Sequence, residues 1–288
     1  MSIFQMLMKK APILFVSHGA PTFALDGGSL GQELDVIGRS LTHIKAVLAI
    51  SPHWQTNHLT LTTGTKLSTI HDFYGFGHEL NNIQYPAYGD PVIAGSIKDL
   101  LQSHSYVVEE DIERGLDHGV WSVLIHLLPK PHIPIIQLSM PSNLTPRSAY
   151  ELGKILSQIR KDNVLLLASG GVTHNLYELK PQSHEPSDYI YDFTAWIRKA
   201  NSNDDYDMLI RYRELAPHAE RAHPTDEHLL PLMIGYGARD NNEKLLVKSE
   251  EEYTSSIQKF YKSGTEYIII TENSIYIVSS DIPTRKIS

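Results

Sequence analysis

Four short apolar runs set the terms for how this chain can fold: Pro12–Ser17 (PILFVS), Ala46–Ser51 (AVLAIS), Ile133–Leu138 (IPIIQL) and Val164–Ser169 (VLLLAS). Each is rich in Val, Ile or Leu, and in none do polar and apolar residues alternate. A strand with one wet face alternates, whereas a strand covered on both faces does not. Helical patterns fall between and after the runs, over Pro91–Ser103, Val120–Leu128, Pro146–Lys161, Tyr189–Lys199 and Glu227–Met233. Strands alternating with helices predict an α/β fold, with a mainly parallel central sheet and helices on both faces. Leu59–Thr63 alternates and is rich in Thr, which predicts an edge or antiparallel strand. Glu266–Ser279 reads as two β runs around a Glu272–Asn273 turn, a C-terminal hairpin or small additional antiparallel sheet.

The 288 residues, 41% hydrophobic and 20% charged, suit a folded chain with a sizeable core. A net charge of -8 with no basic stripe argues against nucleic acid as a partner. The apolar stretch Ile13–Val16 is too short for a membrane span or a leader, so a cytoplasmic protein without a membrane partner is expected. Cysteine is absent, which removes disulfides, thiolate metal sites and cysteine nucleophiles together. Histidine is abundant, 15 against 7 Phe and 6 Met, so any transition metal must be held by imidazole and carboxylate. No Walker loop, GxGxxG, GxSxG or HExxH motif occurs.

Several of these histidines stand where strands end. The first run leads into Ser17-His18-Gly19, the second into Ser51-Pro52-His53-Trp54, and the last into Gly170-Gly171-Val172-Thr173-His174. Open α/β sheets bind ligands beyond the carboxyl ends of their strands, so three histidines are expected to converge on one crevice. A fourth element, Arg221 to His228, opens a predicted helix with Thr225 as N-cap and His228 in its first turn. His71 in HDFYGFG and His118 in GLDHGVW also occupy marked settings. Phe73-Tyr74-Gly75-Phe76 suits a pocket for a flat ligand. His43, His58, His104, His126, His132, His184 and His218 lack such placement and read as surface or structural residues.

Eight stretches, in order, resemble the LigB-type (class III) extradiol ring-cleavage dioxygenases, most closely the branch named for DOPA 4,5-dioxygenase. They are SHGAPTFAL from Ser17, ISPHW from Ile50, TIHDFYGFGHEL from Thr69, QYPAYGDP from Gln84, GLDHGVWSVL from Gly115, PIIQLSM from Pro134, ASGGVTHNL from Ala168 and HPTDEHLLPL from His223. The resemblance spans roughly residues 12–240. It implies His18, His53 and His228 as ligands of one divalent metal, with His223 as the rival third ligand. Asp226 or Glu227 is a carboxylate alternative. It further implies His174 as the acid/base residue, assisted by His118, and His71, Asp72 and Tyr74 as the wall of the substrate pocket. The implied reaction opens a small catechol-type (DOPA-like) diol with O2. Fe(II) is the expected cofactor because the chemistry needs a redox-active ion, while Zn(II) suits the same three neutral imidazoles. A zinc-dependent hydrolase on the same scaffold is the alternative, and a purely binding module a third reading. Residues 1–250 are expected to form a single catalytic domain, and 251–288 an extension outside the resemblance. One departure stands in the pocket wall: the family's Gly-Phe-Pro after HDF is here Gly75-Phe76-Gly77.

Overall fold

The computed structural model describes residues 10–178 and 187–239, and beyond them the backbones of four strands. Seven strands form one sheet: β1 (Ile13–Ser17), β2 (Ala46–Thr56), β3 (Leu59–Thr62), β4 (Val108–Asp111), β5 (Ile135–Pro141), β6 (Val164–Gly170) and β7 (Leu246–Lys248), in the order β4-β3-β5-β2-β6-β1-β7. Every neighbouring pair is parallel except β3 with β5. Among the described residues, six helices of eight residues or more surround the sheet: α1 (Gly28–Ser40), α2 (Pro91–Ser103), α3 (His118–Leu127), α4 (Pro146–Leu156), α5 (Asp188–Ser202) and α6 (Leu230–Gly237).

The absence of alternation in the central runs now has its cause. Phe15, Leu48, Ile50, Leu166 and Ala168 face a core shared with α2, α4, α5 and α6. Their neighbours Leu14, Val16, Val47, Ala49, Leu165 and Leu167 face a second core under α1 and α3. Both sheet faces are dry, as a parallel sheet requires.

Three local expectations change. β2 does not stop before His53 but carries it. Its register against β5 shifts between Ile50 and Gln55, where Pro52 has no N–H to give the ladder. β3 pairs antiparallel with β5 but is not the edge. β4 lies outside it, and the charged VEED sequence that blunts this edge hides it from propensity reasoning. α6 begins at Leu230, not at Glu227. Thr225 caps nothing and donates instead to the Glu227 carboxylate at 3.0 Å, so His228 sits in a turn before the helix. At the C-terminus β8 (Ile257–Ser263), β9 (Glu266–Thr271) and β10 (Ile275–Ser279) form a separate antiparallel sheet. The β9–β10 pair matches the expected hairpin, whose Glu272–Asn273 turn lies outside the described residues. Among the described residues no helix is long and apolar enough to cross a membrane.

Candidate metal centre

His18 leaves the end of β1, His53 leaves the irregular stretch of β2, and His118 opens α3. The His18 and His53 rings lie 5.1 Å apart between centroids, and His53 and His118 lie 4.0 Å apart. His228 closes the group from the turn before α6, 5.7 Å from His18 and 5.1 Å from His53. His174 stacks flat on His228, with centroids 3.3 Å apart and planes within 8°. Gly119 makes this density attainable. A Cβ there would lie 2.5 Å from Ser51 Oγ, 2.9 Å from His53 Cδ2 and 3.2 Å from His18 Cε1.

The hydrogen bonds fix how these rings are protonated. Ser169 gives its only hydroxyl hydrogen to the Gly119 carbonyl, so its Oγ must accept from His18 Nδ1 at 2.9 Å. His18 Nε2 therefore carries a lone pair. His228 Nδ1 lies 3.0 Å from Glu227 Oε1 and donates to it. His228 Nε2 is buried with no hydrogen-bond partner among the described residues. His53 is caught between two acceptors. Its Nε2 stands 3.1 Å from His18 Nε2, and its Nδ1 stands 3.6 Å from Asp72 Oδ2. Either neutral tautomer leaves a lone pair facing another acceptor. Protonating both nitrogens is opposed by burial and the neighbouring His118, which hold the His53 pKa to about 3. A cation shared by the Nε2 atoms removes the conflict, so the residues present fit a divalent metal.

The remaining electrostatics follow from burial. His18 and His228 are held well below the usual imidazole range, first by burial and then by neighbouring histidines, His53 foremost for His18 and His174 foremost for His228. His174 is lowered by burial, with Glu227 opposing. Burial would push the Asp72 carboxyl up, but its bonds to the His118 ring and backbone N–H, both 3.0 Å, outweigh that and hold it below its ordinary value. Asp117 is fully buried beside His118 and is raised by burial while accepting from Gln137.

The expected ligands His18, His53 and His228 are thus brought together, with His174 and His118 beside them. One group of candidate ligand atoms within 4.8 Å of one another is His18, His53 and His118. His174, Glu227 and His228 form a second. The rival His223 turns away, its Nε2 donating to the Val172 carbonyl at 2.7 Å. Asp226 is bound to Tyr212 and Arg213, and Glu227 reaches the far nitrogen of His228. In the expected pocket wall, Asp72 binds His118. His71 Nε2 donates to the Ile83 carbonyl at 3.0 Å, and Tyr74 is 93% exposed. Gly75 and Gly77 both take φ 84°, a value closed to the proline of the resembled motif at position 77. Sequence reasoning missed Ser169 and Gly119. Both lie inside quoted motifs, but their roles depend on partners 50 and more residues away.

Comparison with known proteins follows the same lines. The family described as catalytic LigB subunit of aromatic ring-opening dioxygenase matches residues 13–264. A 4,5-DOPA dioxygenase extradiol of Beta vulgaris is 35% identical over 234 residues, covering 80% of this chain and 87% of that protein. One from Escherichia coli K12 is 30% identical over 247 residues, covering 84% and 90%. The crystal structure of an uncharacterized protein, JW3007, from Escherichia coli K12 superposes with a TM-score of 0.66 at 26% identity, covering 94% of this chain and 98% of that one. These names point to ring-opening oxidation and not to the hydrolase alternative.

Proposed function

The chain belongs to the LigB family of aromatic ring-opening dioxygenases, and from that premise we propose that it opens a small catechol-type, DOPA-like diol with O2 at one divalent ion held by His18, His53 and His228. Each Nδ1 of the three faces an oxygen, as does that of His118, and the observation that carries the choice of His228 is that, of these four rings, its Nε2 alone is buried with no hydrogen-bond partner among the described residues. Fe(II) bound there would supply the electron path from diol to O2, which Zn(II) fits sterically but lacks.

The protein's own part is proton handling and placement. His174 is neutral at pH 7 because burial lowers its pKa, so it is free to take a proton from a diol hydroxyl. His118 gives Nδ1–H to Asp72 and so keeps Nε2 as an acceptor toward the substrate. His71 anchors the loop of residues 71–77 through Ile83 and Asp72 acts through His118, while Tyr74, 93% exposed, is assigned to the pocket wall by the family resemblance alone. The division into a catalytic unit over 1–250 and an extension over 251–288 belongs to the same proposal, although the family match crosses that boundary and ends at 264.

The test is to load chelator-stripped protein with Fe(II) without air, add a panel of catechols including DOPA, then admit O2. Oxygen uptake with a yellow ring-opened product is expected, and no uptake across the panel sinks the reading. His18→Ala, His53→Ala and His228→Ala should lose bound metal. His118→Ala and His174→Ala should keep it while turnover falls about 10²- to 10⁴-fold. Metal retained by His228→Ala but lost from His118→Ala would select the other close trio, His18, His53 and His118.

A further inference from the structure

We infer that His223 is a positioning residue that holds His174 against His228, by tying the two loops that carry them. The inference rests on the acid/base role proposed for His174. Residues 171–175 and 221–228 are joined by four hydrogen bonds among the described residues. Gly171 N–H donates to the His228 carbonyl and His174 N–H to the Ala222 carbonyl, each at 2.8 Å. Asn175 Nδ2 donates to the Arg221 carbonyl at 2.7 Å, and His223 Nε2–H to the Val172 carbonyl at 2.7 Å.

The His223 bond differs from the other three in being made by a fully buried side chain. Its ring is packed 5.6 Å from Phe193 and 6.2 Å from Tyr212. Its backbone is pinned as well, N–H to the Ala219 carbonyl at 2.9 Å and carbonyl to Arg213 Nη1 at 2.5 Å. A donor fixed this way fixes its acceptor, and Val172 lies two residues before His174. Without the donor, the buried Val172 carbonyl would have to find another partner, and the loop would shift to do so. Histidine suits the position because a flat ring fills the aromatic cage while one edge carries an N–H. Its other ring nitrogen, Nδ1, is buried with no hydrogen-bond partner among the described residues, but His223 belongs to neither group of candidate ligand atoms that lie within 4.8 Å of one another, so it supports the site without joining it.

Two variants test this. His223→Phe keeps the ring and removes the donor, while His223→Gln restores an N–H on a side chain of similar reach. Both are compared with wild type in the zinc-loaded protein by thermal melting, metal analysis and amide hydrogen exchange. In the iron-loaded protein, kcat and KM are measured on the best catechol. For His223→Phe we expect full metal content, exchange at Gly171 and His174 about tenfold faster, and kcat lower by about 10²-fold with KM little changed. His223→Gln should recover most of both. Loss of metal from folded His223→Phe would make it a ligand and overturn the proposal. So would unchanged exchange and kcat, or a His223→Gln protein that folds but recovers neither. If wild type opens no catechol, the functional reading fails while the exchange measurement still decides the loop tie.

Discussion

Ser169 and Gly119 show how much of the centre is set by residues that never touch a metal. Because Ser169 donates to Gly119, it can only accept from His18, and that single constraint aims the Nε2 lone pair inward. Ser169→Ala should therefore bind metal about 10- to 100-fold more weakly, measured by competition with a chromogenic chelator; an unchanged affinity would show that packing alone orients His18. Gly119→Ala is expected to be more severe. Its Cβ must displace the His53 ring and Ser51 from 2.9 Å and 2.5 Å, so metal binding should be lost while the melting temperature changes little. Undiminished metal content would show that the helix start yields instead. The strand-end histidines could be read in the sequence from the run-then-His pattern. Ser169 and Gly119 could not, because their meaning lies in contacts between β6, α3 and the ends of β1 and β2.

At the scale of elements, α4 and α6 decide where His228 stands. α6 starts two residues after it, and α4 meets α6 with almost no space between their backbones. A Cβ on Gly153 would lie 2.0 Å from the Ile234 carbonyl, and one on Gly237 2.0 Å from that of Tyr150. Gly153→Ala should push the helices apart at a cost of about 1–3 kcal/mol, read as a lower urea midpoint, and should weaken metal binding through His228. Full stability would mean that the helices slide without loss. α2 was legible to the residue, with Asp90 capping the N–H groups of Val92 and Ile93 and proline in the first turn. α6 was not, because Glu227 and His228 read as its first turn, whereas the helix starts at Leu230 with Pro231 in that turn.

Over the whole molecule, burying several neutral imidazoles makes metal-free stability depend on pH. His223 titrates near 4 in the folded chain, lowered by burial, against about 6.5 when unfolded. Below pH 6.5 the unfolded chain takes up that proton first. The stabilisation is therefore complete above 6.5 and is lost as pH falls toward 4, by about 3 kcal/mol from this residue alone. His18 and His228 shift in the same direction. Urea midpoints of chelated protein should fall from pH 7 to 4, less steeply in His223→Gln, and added zinc should oppose the fall; a flat profile would contradict the buried neutral state. The sequence by itself determined the layered α/β fold and the histidine-rich strand ends, because doubly buried strands must be uniformly apolar and ligand residues must follow them. Which nitrogen each histidine turns inward, that His223 faces Val172, and that Asp226 pairs with Tyr212 and Arg213 were decided by the tertiary structure alone. Each of these depends on a partner brought close only by the packed sheet and helices.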